Sequence, residues 1–193
     1  MINKQEFKEI GKELKKFEEE REDSIQKSRE IITISKQIIY SIHRNDISKA
    51  EKLSQEIKKK MSNLSSNSYD TAMVTVAQQE FVEAVTFLDF VKKKVIPTRK
   101  ELKIETEPYL LGLCDLTGEL VRMAVNCAIR KQIDEVMKIR ELIDEIYGEM
   151  LLFDFRNGEM RKKYDSIKWN LKKVEDIILE ISMYNGKNLK QWV

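Results

Sequence analysis

The sequence predicts an all-α protein, a bundle of six to seven helices with an unusually long first helix. Three observations carry this expectation. Apolar residues recur every three or four positions along most of the chain. No segment sustains the alternation of a strand. The 193 residues include only two prolines and six glycines, too few breakers for a stack of short strands. A hydrophobic content of 41% with 35% charge excludes disorder, and the length suits a single helical domain over residues 1–193. Net charge is only +2, so any nucleic-acid surface has to come from local segregation of charge. Cys114 and Cys127 form no CxxC pair and read as free thiols of a reducing compartment. No apolar run reaches bilayer length, and Met1 to Glu6 lack the apolar core of a signal peptide. A soluble cytoplasmic protein with no membrane partner is the expectation.

The first helix is expected from about Asn3 to Arg44, with Phe7, Ile10, Leu14 and Phe17, then Ile25, Ile31, Ile38 and Ile42, at helical spacing. Its middle, Glu18 to Asp23, is charged all round, as in segments that project into solvent or bridge subunits. Asn45-Asp46 offers a cap to a second helix from about Ile47 to Met61. Ser62 to Ser68 reads as a loop. A third helix, about Tyr69 to Val95, is apolar around most of its circumference, which marks a central helix. Pro97 ends it, and Thr98 to Glu107 reads as a short polar connection. Pro108 then stands in the first turn of a helix running to about Ala128. Gly112 and Gly118 weaken that helix, and suggest close packing or close approach of a ligand. Two more helices follow, about Gln132 to Phe153 and Glu159 to Met183, with a turn at Arg156-Asn157-Gly158 between them. Asn185-Gly186 is a C-cap signal, and Trp192 in the tail offers a docking residue.

Chemistry concentrates in two apolar stretches. Glu80 and Glu83 stand three apart in the third helix, and Asp115 and Glu119 four apart in the next, so each pair shares a helix face. Carboxylates on apolar faces are expensive to bury unless they are paired or bind a cation. Two readings are therefore open: salt bridges to Arg or Lys on other helices, or a joint site for a hard divalent cation, Mg²⁺ or Mn²⁺. The only histidine, His43, lies far along the chain from them, which argues against di-iron and zinc centres. Four carboxylates with Mg²⁺ suit phosphate chemistry. Arg21, Lys27, Arg29, Lys36, His43 and Arg44 cluster on the first helix as candidate phosphate contacts, although each is an ordinary surface residue by itself.

The run from Tyr109 to Asn126, with Asp115-Leu-Thr-Gly-Glu119-Leu-Val-Arg-Met123 at its centre, resembles the signature of the translin family, in particular its Trax branch (translin-associated factor X). Gln79 to Phe87 is similar to the Trax segment that bears paired glutamates. Lys27 to Ile32 with Ile42-His43-Arg44, and Lys163 to Glu175, resemble the first and last helices of the family. The resemblance implies a seven-helix protomer that assembles as a hollow octamer around single-stranded nucleic acid. It implies a Mg²⁺-dependent endoribonuclease acting on single-stranded RNA, with Glu80, Glu83, Asp115 and Glu119 on the catalytic and metal-binding positions. The connection between the third and fourth helices is shorter than in eukaryotic Trax, which implies a compact homo-oligomer in place of pairing with translin. Two other functions are weighed beside it. A translin-like protein binding single-stranded RNA or DNA without turnover would lack a use for the carboxylates. An all-α nucleotide pyrophosphohydrolase would fit the Glu-x-x-Glu but not the long first helix.

Overall fold

A computed structural model describes residues 2–64 and 71–185. These residues form seven helices and no strand: α1 Lys4–His43, α2 Ile47–Ser62, α3 Thr71–Lys93, α4 Arg99–Leu102, α5 Thr106–Ile129, α6 Ile133–Met150 and α7 Glu159–Asn185. The expected helix start at Tyr69, most of the Ser62 to Ser68 loop, Gly186 and the Trp192 tail lie outside the described residues. No described helix is long and apolar enough to cross a membrane.

Local chemistry explains the boundaries. The Asn3 side chain accepts from the backbone N–H groups of Gln5 and Glu6 and starts α1, and Asp46 accepts from Lys49 N–H at 3.1 Å and starts α2. With so few glycines, the chain ends its helices on other residues in the left-handed region. Asn45, Lys94, Lys103 and Lys131, at φ of 61°, 58°, 56° and 59°, follow α1, α3, α4 and α5. The expected polar connection after Pro97 turns out to contain a helical turn, α4. Thr98 accepts from Glu101 N–H while Glu101 accepts from Thr98 N–H, a reciprocal cap that satisfies both backbone donors.

Packing groups the chain into two compact units, residues 1–88 and 89–193, divided within α3. In the first, α1 packs along α2. Ile31, Ile38, Ala50 and Ile57 are completely buried there. Ser24, Ser28 and Ser35 are buried as well, and their hydroxyls have no hydrogen-bond partner among the described residues. An unmet hydroxyl is unfavourable. The α3 portion of this unit is buried at every position from Phe81 to Leu88, which agrees with the central helix expected from its composition. Val76, one of the apolar residues of this helix, is exposed. In the second unit α5, α6 and α7 pack against one another. Leu116, Leu120, Val136, Ile139, Ile143, Ile167 and Val174 are fully buried there. Trp169 is exposed, with the Lys172 ammonium over its ring, so it is no part of this core.

Candidate functional site

Each carboxylate pair is held differently. On α3, Glu83 lies inside the continuously buried stretch and is only 8% exposed. Glu80, one turn earlier, sits at the edge of that stretch with Lys36 Nζ of α1 at 4.0 Å. On α5, Asp115 and Glu119 are both half-buried. Lys163 of α7 donates to both carboxylate oxygens of Asp115, at 2.9 and 2.6 Å. Arg122, one turn along α5, reaches Glu119 at 3.8 Å. A second bridge between α5 and α7 lies beside the first. Asn170 donates to the Thr117 hydroxyl at 2.9 Å, and that hydroxyl donates to the Cys114 carbonyl. Glu80 and Glu83 thus belong to one compact unit, Asp115 and Glu119 to the other. Within either unit the described residues contain no group of three or more His, Cys, Asp or Glu side chains that could hold a metal ion.

The donor set has a clear chemical character. Its oxygens are hard ligands, and each of Glu80, Asp115 and Glu119 already draws an ammonium or guanidinium. The thiol next in sequence is no competitor. Burial, then the neighbouring Asp115 charge, push the Cys114 pKa up to about 12, and its sulfur rests 3.7 Å from that of Met150. Burial also raises Cys127. Both thiols stay protonated at neutral pH. The carboxylates therefore fit Mg²⁺ or Mn²⁺ and fit a thiolate-bound metal poorly.

The basic residues of α1 separate into groups. At 100° per residue, Arg29, Lys36 and Arg44 fall on one exposed strip. Tyr40 lies on the same strip, and Arg44 donates to its hydroxyl at 3.0 Å while stacking over its ring. Lys36 brings this strip next to Glu80. Lys27 is on roughly the opposite side of the helix and pairs with Asp23. Arg21 lies within the charged segment and pairs with Glu18 at 3.0 Å. His43 is half-buried, with its ring tilted against Phe87 of α3 at 5.2 Å, so it is more than helix-end decoration. Tyr40, Lys163 and Arg122 are given no role by the sequence alone. Tyr40 had a findable signal, four residues from both Lys36 and Arg44. Lys163 had none, because 48 residues separate it from Asp115.

An all-α chain with acidic pairs on two helices and a basic, aromatic strip on a third is the class of protein these features define. Residues 19–185 match the translin family, and the chain belongs to that family. It is 30% identical to an uncharacterized protein of Methanocaldococcus jannaschii over 82% of this chain and 75% of that protein. It is 26% identical to translin-associated protein X of Rattus norvegicus over 88% of this chain and 75% of that protein. The likeness to translin of Gallus gallus, 31%, covers only 42% of this chain and 35% of that one. Among solved structures, apo-NeC3PO superposes with a TM-score of 0.85 at 26% identity, covering 91% of this chain and 97% of that one. An AfC3PO–duplex RNA complex has the same fold, with a TM-score of 0.84 at 22% identity, covering 95% of this chain and 100% of that one. The longer match to translin-associated protein X places the chain on the Trax-like branch.

Proposed function

We propose that this protein is a Mg²⁺-dependent endoribonuclease of single-stranded RNA that works as a homo-oligomer, an octamer on the family likeness. The observation that carries the reading is the neighbourhood of Lys36 and Glu80, which sets the Arg29–Arg44 strip beside an acidic pair. Metal-dependent phosphodiester hydrolysis uses cations that hold phosphates next to carboxylates that hold a metal and accept a proton. The metal ligands in this reading are Glu80, Glu83, Asp115 and Glu119. The bound ion, Mg²⁺ or Mn²⁺, would polarise the scissile phosphoryl group and acidify the attacking water. Arg29, Lys36 and Arg44 bind phosphates along the strand, giving salt-sensitive and weakly sequence-dependent affinity. The exposed Tyr40 ring is a platform for a base. One of the four carboxylates takes the proton of the attacking water.

The test is incubation of the purified protein with labelled single-stranded and duplex RNA, in Mg²⁺ and in EDTA, with light scattering in the same buffer. Internal cleavage of the single strand in Mg²⁺ and none in EDTA is expected. Intact RNA in Mg²⁺ and in Mn²⁺ overturns the reading, and cleavage of the duplex alone overturns the choice of strand. A second reading is favoured by the Lys163–Asp115 pair, which satisfies that carboxylate without a metal. In it the protein binds single-stranded RNA or DNA without turnover, and tight binding with intact RNA is its signature.

A further inference from the structure

Of the cations that the assigned carboxylates attract, one is set apart by geometry. Lys36 stands 4.0 Å from Glu80 and Arg122 3.8 Å from Glu119, beyond hydrogen-bond distance. Lys163 donates to both oxygens of Asp115, at 2.9 and 2.6 Å. Asp115 lies 48 residues earlier in the chain, so the packing of α7 on α5 delivers the ammonium. Tyr164 and Ile167, both buried, seat this turn of α7. From there the flexible four-carbon stem of Lys163 reaches the carboxylate, and can turn away without moving the helix. The two side chains are 24% and 27% exposed, so the pair is held between the helices yet open to an ion from solution.

We propose that Lys163 is the resident counter-ion of Asp115, a built-in competitor that a divalent cation has to displace. The inference rests on the reading of Asp115 as a metal ligand, and adds the regulation of that site. An ammonium that bridges both oxygens takes the position of a cation shared by them, and two positive charges repel each other strongly at that range. Asp115 therefore has two alternative states, one bridged to α7 and one holding the metal. The bridge is lost when the metal binds, so it weakens the metal by the same factor by which the metal weakens it. Lys163 thus raises the concentration of free cation at which the site fills. Below that concentration it keeps the half-buried Asp115 charge paired. A bridge that was only structural would act the other way: by holding Asp115 in place it would aid the metal or leave its affinity unaltered.

The test measures binding of Mn²⁺ to the full-length protein, without RNA, from the electron paramagnetic resonance of the free ion. Lys163→Met should lower the dissociation constant about fivefold, the equivalent of one partly exposed ion pair. It should also melt below the wild type in EDTA. In saturating Mg²⁺ the two should melt together, because the metal-bound wild type has already lost the bridge. Asp115→Asn should bind Mn²⁺ more weakly than the wild type. An unchanged or lowered Mn²⁺ affinity in Lys163→Met, or a melting deficit of the same size in EDTA and in Mg²⁺, overturns the proposal. With Asp115→Asn still weakened, that result leaves the nuclease reading standing. Full affinity in Asp115→Asn, or no Mn²⁺ binding by the wild type, overturns the assignment of Asp115 to a metal and the proposal with it.

Discussion

The two acidic pairs each put two carboxylates one turn apart on a helix, and they sit in different surroundings. The α3 pair is placed by apolar packing: eight consecutive buried residues fix the helix, and Glu83 is carried into the interior with them. The α5 pair is placed by polar bonds, with Lys163 bridging both oxygens of Asp115 and Asn170 tying Thr117, two residues further along α5, to α7. A helix seated by eight consecutive buried residues keeps its apolar contacts when one of its carboxylates is truncated. A polar bridge transmits the loss of either end to the other. The same chemical assignment therefore has different mechanical consequences on the two helices.

The largest expected effect tests whether the pairs share one task. Glu83→Ala and Asp115→Ala should each lower Mg²⁺-dependent cleavage by roughly 10² or more, with circular dichroism showing the helical fold retained. Thermal melts should separate them. Glu83→Ala removes a buried carboxylate and leaves the apolar run intact. Asp115→Ala leaves the Lys163 ammonium without its half-buried partner and should be the less stable of the two. Undiminished cleavage in both variants would dissolve the functional equivalence of the pairs.

Lys163→Met attacks the polar side alone. Its side chain is 24% exposed and that of Asp115 27%, between a surface pair and a buried one. Loss of about 1 kcal/mol in denaturant unfolding is expected on that basis. Asn170→Ala, which leaves the fully buried Thr117 hydroxyl with one bond fewer, should lose about the same. If neither variant shifts the midpoint, α5 is positioned by its apolar stripe as α3 is, and the contrast disappears. On the α3 side, Lys36→Ala should leave stability unchanged within about 0.5 kcal/mol. It should weaken RNA binding and reduce the salt dependence of the affinity by about 0.7 in log–log slope, as expected when the protein neutralises one phosphate fewer on a single strand.

How much of this was legible in the sequence follows the same division. Apolar periodicity located six of the seven helices within a few residues, because each buries a stripe that repeats along the chain. It did not distinguish the two ends of α1. The spacing from Phe7 to Phe17 continues through Ile31 and Ile38, yet the first group is exposed and the second buried. Periodicity defines a face and says nothing of what covers it. The one-turn α4 is too short to have a period, although Thr98 and Glu101 stand at the capping-box spacing. Paired carboxylates were visible as i, i+3 and i, i+4 patterns. Lys163 as the holder of Asp115 was not, since that bond is made by the packing of α7 on α5. Projection onto a helix also splits residues that mere proximity along α1 grouped together: Arg29, Lys36 and Arg44 share a strip that Lys27 does not.

The smallest effect bears on why a glycine stands between Asp115 and Glu119. Close helix packing is one reason to expect one there, but Gly118 is exposed and a methyl added to it would meet only the Asn170 amide at 3.9 Å, an ordinary van der Waals distance. Nothing in the α5–α7 packing therefore requires the absence of a side chain. Gly118→Ala should raise stability by about 0.5–1 kcal/mol, the helix-propensity difference. A further use of the glycine is open space beside the α5 carboxylates, where in the proposed nuclease a phosphate backbone would come close. If that is its role, the alanine variant melts higher while its KM for RNA rises. A higher melting point with unchanged KM would mean that the strand does not approach α5 at this turn, and would leave the α3 side, with its basic strip, as the surface that reads the substrate.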